Sequence, residues 1–303
     1  MSNSAELHAY RAFGCSFLSR GLLPELARAH DGASNGGIQI NWGDTPAELP
    51  QPCIQRGGYQ ASSEALLLTV PDVARYHVTK DSITVTPDAV ADENSVRLYL
   101  FGSAIGALLH LNGILALHGS SVRIKHGSAA VFCGVSTAGK STLAASLSQR
   151  GFHHLADDIV AVHFDTEGQA WVHPGLSRSK LWSETLALLG MSSDAGKQVR
   201  HDLDKYSMPV ETWPHAEPLT RIYELLPVEE GEVSMAEVKG MEKLRLLDRQ
   251  TFRPSYLEDL GLKSGHLRRL SQLAPKVLMR QIVRPRCWPT LTEMVDALKA
   301  DWA

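Results

Sequence analysis

Cysteine is scarce in this sequence, and the few that occur lie far apart. Cys15, Cys53, Cys133 and Cys287 are spread over 303 residues, and no two of them form a Cys-x-x-Cys pair. This spacing argues against a structural zinc site and against a disulfide framework, and it fits a reducing cytosol. We therefore expect a cytoplasmic protein.

Long apolar segments and a strong net charge are also missing. The first seven residues are polar, without the basic start and apolar run of a signal peptide. Residues 98–117 are largely apolar but contain His110, Asn112 and three glycines, which predicts a buried helix leading into a strand and not a membrane span. The net charge of −3 provides no general attraction to nucleic acid. We expect neither a membrane nor a nucleic acid as partner.

The first part of the chain has the pattern of a small antiparallel sheet. Residues 66–70, 76–79 and 83–86 are short β-branched or alternating runs, separated by turn signals at Pro71-Asp72 and Lys80-Asp81. From residue 94 the apolar spacing becomes helical. We predict a small β-rich N-terminal domain over residues 1–93, with a role in substrate selection, and a second domain over residues 94–303.

The second domain has an α/β pattern. Residues 129–133 predict a short apolar strand, and residues 140–150 predict a helix that ends at Gly151, where a C-cap glycine belongs. The β-forming run 159–164 and the segment 169–173 predict a hairpin around the turn at residues 165–168. Another strand is expected at residues 221–226.

The most informative motif is a glycine-rich loop between the predicted strand and helix. It matches the pattern G-x4-G-K-[ST] over its whole length: Gly134, Val135, Ser136, Thr137, Ala138, Gly139, Lys140 and Ser141. Glycines let successive N–H groups converge on phosphate oxygens, and the following helix points its positive dipole end at the same place. Lys140 is expected to reach the β- and γ-phosphates, and the Ser141 hydroxyl to coordinate Mg²⁺. Together with Thr142, this P-loop predicts a site for a nucleoside triphosphate.

Two adjacent carboxylates, Asp157 and Asp158, follow the loop, and Asp158 lies eighteen residues after Lys140. Neighbouring carboxylates are costly to hold together without a cation or a proton to share. We expect them at the edge of the next strand of a doubly wound sheet, facing the γ-phosphate. One would assist the metal, for which we select Asp157, and the other would take a proton from an incoming hydroxyl. A solvated turn is the alternative interpretation.

These residues resemble the C-terminal domain of the HPr serine kinase family. His118-Gly119 precedes the loop as the family's His-Gly pair does. The run Gly139-Lys140-Ser141, Arg150-Gly151 and Ala156-Asp157-Asp158 is similar to the family's GKS, RG and ADD at matching spacing. The resemblance covers residues 118–158 and implies an α/β fold with an HPr kinase-like P-loop domain. It also implies that Lys140 and Ser141 have the phosphate and Mg²⁺ roles, that Asp158 is the general base and that His118 lies at the active site.

The sequence departs from that family at two places. Thr142 stands where the family has a glutamate after Gly-Lys-Ser. Residues 172–176 lack the acidic residue with which the bifunctional kinase/phosphorylases bind Mg²⁺. The missing acid weighs against the reverse, phosphorolytic reaction and against a second metal contact.

The whole chain is more similar to a divergent branch, the HPr-kinase-like proteins of lasso-peptide and other ribosomal-peptide gene clusters. The motifs are Phe13-Gly14, Leu22-Leu23-Pro24-Glu25-Leu26, Leu117-His118-Gly119-Ser120, Pro174-Gly175-Leu176, Lys180-Leu181-Trp182, Asp204-Lys205-Tyr206 and Thr251-Phe252-Arg253. Members of that branch phosphorylate a serine hydroxyl at the end of a precursor peptide. The resemblance therefore implies that the acceptor is a peptide or small protein bearing a serine.

We therefore expect an ATP- and Mg²⁺-dependent serine kinase. Lys205, and with less support Arg200, lie in the polar segment 194–206, which would close over the nucleotide and stabilise the transferring phosphoryl group. The family resemblance also implies a homo-oligomer. Two alternatives stay open: a kinase that phosphorylates HPr itself in carbon regulation, and a nucleotide-dependent switch or binding module with no acceptor but water.

Overall fold

The computed structural model describes residues 6–29, 36–50, 53–124, 127–200, 203–286 and 290–303. Cys15, Cys53 and Cys133 are free thiols, whereas Cys287 lies outside the described residues. Within those ranges, no helix combines the length and the apolar character needed to cross a membrane.

The N-terminal part forms a mixed sheet of nine strands. Its order is β3-β1-β2-β4-β9-β8-β7-β6-β5, in which β4 runs parallel to both β2 and β9 and the other pairs are antiparallel. The three antiparallel strands predicted from the sequence are confirmed as β7, β8 and β9, but the sheet is larger because residues 8–61 add six more strands. The strands are β1 His8–Ala12, β2 Cys15–Ser19, β3 Ala27–Arg28, β4 Ile38–Trp42, β5 Ile54–Arg56, β6 Tyr59–Ala61, β7 Leu66–Val70, β8 Ala74–Val78 and β9 Ser82–Pro87.

A buried helical segment follows this sheet, as the sequence predicts. It consists of α1 Glu93–Tyr99, a π-helical turn Leu100–Ala104 and α2 Ile105–Leu111. Asp92 caps its start by accepting a hydrogen bond from the backbone N–H of Ser95 at 2.9 Å. Every residue from 100 to 111 is buried, so the π-helical turn and α2 are surrounded by protein on all sides. The π-helical turn was not predicted from the sequence.

A second sheet and a small third sheet contain the remaining strands. The second sheet has the order β11-β10-β12-β13-β17-β19-β18, and β11 also pairs in parallel with β17, so that five strands close into a ring. The third sheet has the order β14-β16-β15. The strands are β10 Leu115–Ile124, β11 Ser128–Gly134, β12 His153–Phe164, β13 Ala170–Val172, β14 Arg178–Trp182, β15 Lys197–Arg200, β16 Leu203–Pro209, β17 Glu217–Val228, β18 Ser234–Glu237 and β19 Leu278–Pro285.

The second sheet is not the doubly wound parallel sheet that the sequence suggested. Strand β10 lies between β11 and β12 and is antiparallel to both, and only the β11–β17 and β17–β19 pairs are parallel. The predicted hairpin after β12 is confirmed as the antiparallel pair β12–β13. The architecture is therefore mixed α/β, with β11 in the middle of the sheet between β10 and β17.

Six further helices pack around these sheets. The predicted helix after the glycine-rich loop is confirmed, and Gly151 follows its end with φ +88°, a backbone angle that glycine adopts without strain. The helices are α3 Lys140–Gln149, α4 Ser183–Leu188, α5 Met241–Arg249, α6 Pro254–Asp259, α7 Lys263–Leu273 and α8 Thr290–Trp302.

The largest apolar core joins both halves of the chain. Tyr10 and Tyr76 of the nine-stranded sheet, Leu108 of α2, Ala161 of β12 and Phe252 after α5 belong to one buried cluster. Residues on both sides of position 94 therefore share a core. The domain boundary near residue 94 stays a prediction.

Candidate active site

The glycine-rich loop connects the end of β11 to the start of α3. Its backbone has positive φ angles at Gly134 (+140°), Thr137 (+66°) and Gly139 (+95°). A Cβ atom at Gly134 would lie 2.7 Å from the carbonyl oxygen of Leu225 in β17, so a side chain has no room there. Val135, Ser136 and Thr137 are exposed. The sequence thus forms an open turn against the first turn of α3, as the motif predicts.

The Lys140 side chain folds back along the loop. Its ammonium donates hydrogen bonds to the carbonyl oxygens of Gly134 at 2.9 Å and Val135 at 3.0 Å. The side chain is buried, and burial lowers the pKa of Lys140, while the nearby carboxylates of Asp157 and Asp158 act in the opposite direction. Two of the three N–H donors are used by the loop, which fixes the ammonium beside the expected phosphate site.

Polar side chains from distant parts of the sequence support the loop. The backbone N–H of Gly134 donates to Oε1 of Gln250 at 3.1 Å, and Gln250 Nε2 donates to Glu224 at 2.8 Å. Arg249 binds both carboxylate oxygens of the same buried Glu224, at 2.9 and 2.7 Å. On the other side, the buried Arg284 donates from Nε to the carbonyl oxygen of Ala138 at 3.0 Å. These contacts hold both ends of the loop, and sequence reasoning missed them.

Asp157 is buried and accepts four hydrogen bonds. The hydroxyls of Ser120 and Ser141 donate to Oδ1 at 2.6 and 2.8 Å, and the hydroxyl of Ser179 and the backbone N–H of Lys180 donate to Oδ2 at 2.9 and 2.8 Å. The contact with Ser141 links the Asp pair directly to the start of α3. Both oxygens are therefore oriented by the surrounding strands.

Asp158 has a different environment from its neighbour. Lys180 donates to Oδ2 at 2.8 Å, and Oδ1 lies 3.5 Å from Nδ1 of His118. Burial acts to raise the pKa of Asp158, but the charges of Lys180 and His118 and the hydrogen bond from Lys180 outweigh it, so that the pKa lies far below the usual range of an aspartate. The carboxylate therefore stays ionised at neutral pH.

His118 lies against Asp158 and an aromatic ring. Its Nδ1 is 3.1 Å from the backbone carbonyl oxygen of Asp158, and its ring centroid is 5.9 Å from that of Phe252. Burial lowers the pKa of His118, and Lys140 adds to this, although Asp158 acts in the opposite direction.

The position of the Asp pair differs from the expectation that it ends a strand. Both residues lie in the middle of β12, which runs without a break from residue 153 to residue 164. The register of β10 and β12 shifts near Ser121, and Asp158 has φ +71°. The irregular backbone, and not a strand end, turns the two neighbouring carboxylates toward the loop.

The remaining predicted residues lie along the wall of the same region. Lys205 is in β16, opposite Trp182 of β14, and its ammonium lies 5.5 Å from the centre of the Trp182 ring. Arg200 ends β15, so the segment predicted to close over the nucleotide is a pair of strands, of which residues 201–202 lie outside the described ranges. The Thr142 hydroxyl lies 3.0 Å from that of Thr185 in α4.

Two cavities meet at this point. The smaller, about 580 Å³, is lined by the P-loop and start of α3 and by β14 and α4, including Ser136, Lys140 and Ser141. The larger, about 860 Å³, extends from the loop toward the π-helical turn and residues 249–253. The two share five lining residues: His118, Ser136, Asp158, Lys180 and Lys205. A group bound between the cavities would therefore contact Asp158 and Lys180 from either side.

Lys180 is the main site residue to which the sequence analysis gave no role. It appeared only within the motif Lys180-Leu181-Trp182, and no local pattern along residues 178–182 distinguishes it. The Ser179 hydroxyl donates to Asp157 and the Lys180 ammonium donates to Asp158, so two consecutive residues of β14 bind the two carboxylates.

The donor set fits a magnesium ion bound together with phosphates. Ser141 and Asp157 present a hydroxyl and a carboxylate that touch each other beside the loop, and such oxygen ligands suit Mg²⁺. In the part of the chain that the structure describes, no group of three or more His, Cys, Asp or Glu side chains is arranged to hold a metal. A bound Mg²⁺ would therefore need phosphate oxygens and water to complete its coordination.

Comparisons with known proteins give little further information. No model of a protein family matches the chain, and no curated protein matches it. Among solved structures, the Hpr(Ser) kinase/phosphatase from Coxiella burnetii is similar, with 11% sequence identity and a TM-score of 0.31. The match covers 61% of this chain and 88% of that protein. At this level the similarity does not define the function of the chain.

Proposed function

We propose that this chain is an ATP- and Mg²⁺-dependent kinase that phosphorylates a serine hydroxyl of a peptide or small protein. One observation carries the proposal: the carboxylates of Asp157 and Asp158 lie in the wall of the same cavity as Lys140 and Ser141 of the loop. A loop that only binds nucleotide needs one carboxylate for the metal, whereas here a second ionised carboxylate, Asp158, lines the same cavity.

The nucleotide would be held by residues whose positions are already fixed. The loop, including Gly134, Thr137, Ala138 and Gly139, would surround the phosphates, with Lys140 beside them. Ser141 and Asp157 would hold Mg²⁺. Bound ATP and Mg²⁺ would supply the phosphoryl group and the positive charge that neutralises it.

Asp158 would orient and deprotonate the acceptor. Its Oδ2 is used by Lys180, so Oδ1 is the oxygen available to a hydroxyl, and His118 lies next to it. The acceptor hydroxyl would give its proton to this carboxylate while its oxygen bonds to the γ-phosphorus and the bond to the leaving diphosphate breaks.

Lys180 and Lys205 line both cavities and would stabilise the negative charge of the group in transfer. Lys180 is already within hydrogen-bonding distance of Asp158, and Lys205 is close enough to influence its pKa. Fixed cations of this kind act on phosphoryl transfer by charge stabilisation, as an arginine finger does.

As the specific acceptor we propose the C-terminal serine of a ribosomally made precursor peptide. Support comes from the motifs shared with the peptide-kinase branch, among which Lys180, Lys205 and Arg253 all line the larger cavity. The absence of an acid in residues 172–176 weighs against phosphorylation of HPr. HPr is therefore the comparison acceptor in the test.

The purified protein should be incubated with ATP and Mg²⁺ together with a serine-ended peptide and HPr, and intact masses recorded. We expect one phosphate on the peptide, lost in Lys140→Ala and in Asp158→Asn. Lys239→Ala is the matched control, because Lys239 is exposed and pairs only with Glu237 among the described residues.

The variants distinguish the alternatives. If Asp158→Asn phosphorylates the peptide at the wild-type rate, Asp158 is not the base. Phosphate on HPr alone would assign the chain to carbon regulation. ATP binding without phosphoryl transfer to either acceptor would favour the alternative of a nucleotide-dependent switch or binding module.

A further inference from the structure

The larger cavity has an excess of positive charge. Two carboxylates and five cationic side chains line it: Asp158, Glu224, Lys180, Arg200, Lys205, Arg249 and Arg253. The carboxylates are already paired, Asp158 with Lys180 and Glu224 with Arg249. Lys205 and Arg253 form no ion pair among the described residues, so a ligand in this cavity meets more positive than negative charge.

Arg253 lines this cavity without an ion-pair partner among the described residues. Its guanidinium carbon lies 5.8 Å from the ring centre of Phe252 and 5.7 Å from that of Tyr256. None of the ion pairs among the described residues involves it, and its side chain is exposed to the cavity. The guanidinium also forms a hydrogen bond with the Tyr256 side chain. Because a guanidinium has five N–H donors, the others remain for a ligand.

The backbone around Arg253 is held in an unusual conformation. Arg253 has φ +44°, although it is not glycine and precedes a proline, and such a conformation needs support from its surroundings. The support is present: the Phe252 N–H donates to the carbonyl oxygen of Ala116 at 2.9 Å, and Nε2 of the buried His110 is 2.7 Å from the Phe252 carbonyl oxygen. A strained residue in a cavity is a candidate for function.

Arg253 also has a fixed relation to the reacting groups. Phe252 contacts both the guanidinium of Arg253 and the ring of His118, and His118 contacts Asp158. Gly102 and Ser103 of the π-helical turn also line this cavity, and this type of helix irregularity is frequent at functional sites. Asp158 and Arg253 therefore line one cavity and are linked through His118 and Phe252.

We propose that Arg253 binds a carboxylate of the acceptor that lies next to the phosphorylated hydroxyl. The inference rests on the proposed kinase function and names the chemistry of its substrate. The planar fork of an arginine matches a carboxylate with two parallel hydrogen bonds, and carboxylates are the anions that an unmodified peptide carries. The source is the C-terminal α-carboxylate of a final serine or an adjacent acidic side chain.

Three peptides of otherwise identical sequence separate these sources. The first ends in serine with a free carboxylate, the second ends in serine amide, and the third ends in glutamate and serine amide. We expect kcat/KM of the wild type for the first peptide to exceed that for the second by about tenfold or more, since a charge-assisted pair is lost. Recovery with the third peptide would identify an acidic side chain as a sufficient partner.

Arg253→Asn is the decisive variant, because asparagine tolerates the left-handed backbone and removes the charge. It should lose the preference between the first two peptides, mainly through KM, and Arg253→Lys should retain part of it. Arg245→Asn is the control, since Arg245 is exposed on α5 and pairs with Glu242. The inference is wrong if the wild type shows no preference, or if Arg253→Asn keeps it.

A binding measurement separates this inference from the kinase proposal. The same fluorescent peptides are titrated into protein loaded with a non-hydrolysable ATP analogue, which needs no transfer. A carboxylate preference that depends on Arg253, with no transfer from ATP, would support the binding site and overturn the kinase function. Phosphoryl transfer without any carboxylate preference in binding or in rate would support the kinase function and overturn the proposed role of Arg253.

Discussion

The ammonium of Lys180 lies 2.8 Å from Oδ2 of Asp158, although the two residues belong to different sheets. Lys180 comes from the three-stranded sheet and Asp158 from the middle of β12. The pair holds the pKa of Asp158 below the usual range, against the effect of burial. A proposed base is thus kept ionised by a neighbour that also faces the phosphate cavity.

Lys180→Met tests this relation through the pH dependence of phosphorylation. Without the ammonium, burial dominates and the pKa of Asp158 rises, because its charged form loses its main partner. The acid limb of kcat/KM should therefore move to higher pH. We also expect the rate at neutral pH to fall by about tenfold or more, as charge stabilisation of the transferred group is lost.

Lys239→Met provides the control, because it removes an exposed ammonium that lines neither cavity. An acid limb that stays in place in Lys180→Met would show that Asp158 does not set it. Nucleotide affinity, measured by titration, separates a loss of transfer from a loss of binding.

Gln250→Leu tests the support of the P-loop. Gln250 accepts from the Gly134 N–H and donates to Glu224, whereas Gln281 donates to the same Glu224 without touching the loop. Both leucine variants remove one bond to Glu224, and only Gln250→Leu leaves the buried Gly134 N–H without its acceptor. We expect Gln250→Leu to cost about 1–3 kcal/mol more in unfolding free energy and to weaken ATP binding more than Gln281→Leu.

Urea unfolding and ATP titration of the two variants check this comparison. If Gln250→Leu and Gln281→Leu lost equal unfolding free energy and equal ATP affinity, the contact between Gln250 and Gly134 would contribute nothing measurable. The loop would then hold its shape through its own backbone.

Two glycine substitutions separate backbone strain from steric contact. Gly134 and Gly151 both have positive φ, but a Cβ at Gly134 would lie 2.7 Å from the Leu225 carbonyl oxygen, and a Cβ at Gly151 meets nothing within 4 Å. Gly151→Ala should cost about 1–2 kcal/mol from its backbone alone. Gly134→Ala should cost more and should also lower ATP affinity, because β11 must move away from β17.

Equal unfolding free energies for the two alanine variants would contradict the close packing of β11 on β17. An unchanged ATP affinity in Gly134→Ala would show that the loop tolerates a displacement of its first residue.

Local features of this site could be predicted from the sequence, and distant contacts could not. The loop, helix α3 and Gly151 are defined by residues next to one another, so their spacing alone indicates their structure. Gln250 lies 116 positions from Gly134, and Lys180 lies 22 positions from Asp158 in another sheet. No periodicity in the sequence specifies such pairs, because packing between sheets brings them together.

The misplacement of the Asp pair has a related cause. The strand pattern before residue 157 and the pattern after residue 158 were interpreted as two segments, since two acidic residues rarely occupy the inside of a strand. Here the four hydrogen bonds to Asp157 and the partners of Asp158 compensate for burial, and the strand continues through them. The stabilising groups come from β10, α3 and β14, which the local sequence does not contain.

The acid sensitivity of folding gives a last prediction, centred on His266. This buried side chain bonds to the Thr251 hydroxyl at 2.9 Å, next to the Arg253 segment. Burial first, and then the charges of His110 and Lys263, lower the pKa of His266 to about 4, against an opposing effect of Asp248. The unfolded chain therefore binds a proton at higher pH than the folded protein, and stability present above about pH 6.5 is lost as the pH falls toward 4.

His266→Gln should remove this dependence, since glutamine keeps a donor for Thr251 and does not titrate. Between pH 7 and pH 4.5 the wild type should lose about 2–3 kcal/mol more unfolding free energy than the variant, measured by urea denaturation. His153→Gln serves as the control on an exposed histidine and should follow the wild type. Identical losses in wild type and His266→Gln would show that His266 does not titrate between the two states, and that acid destabilisation arises at other buried groups.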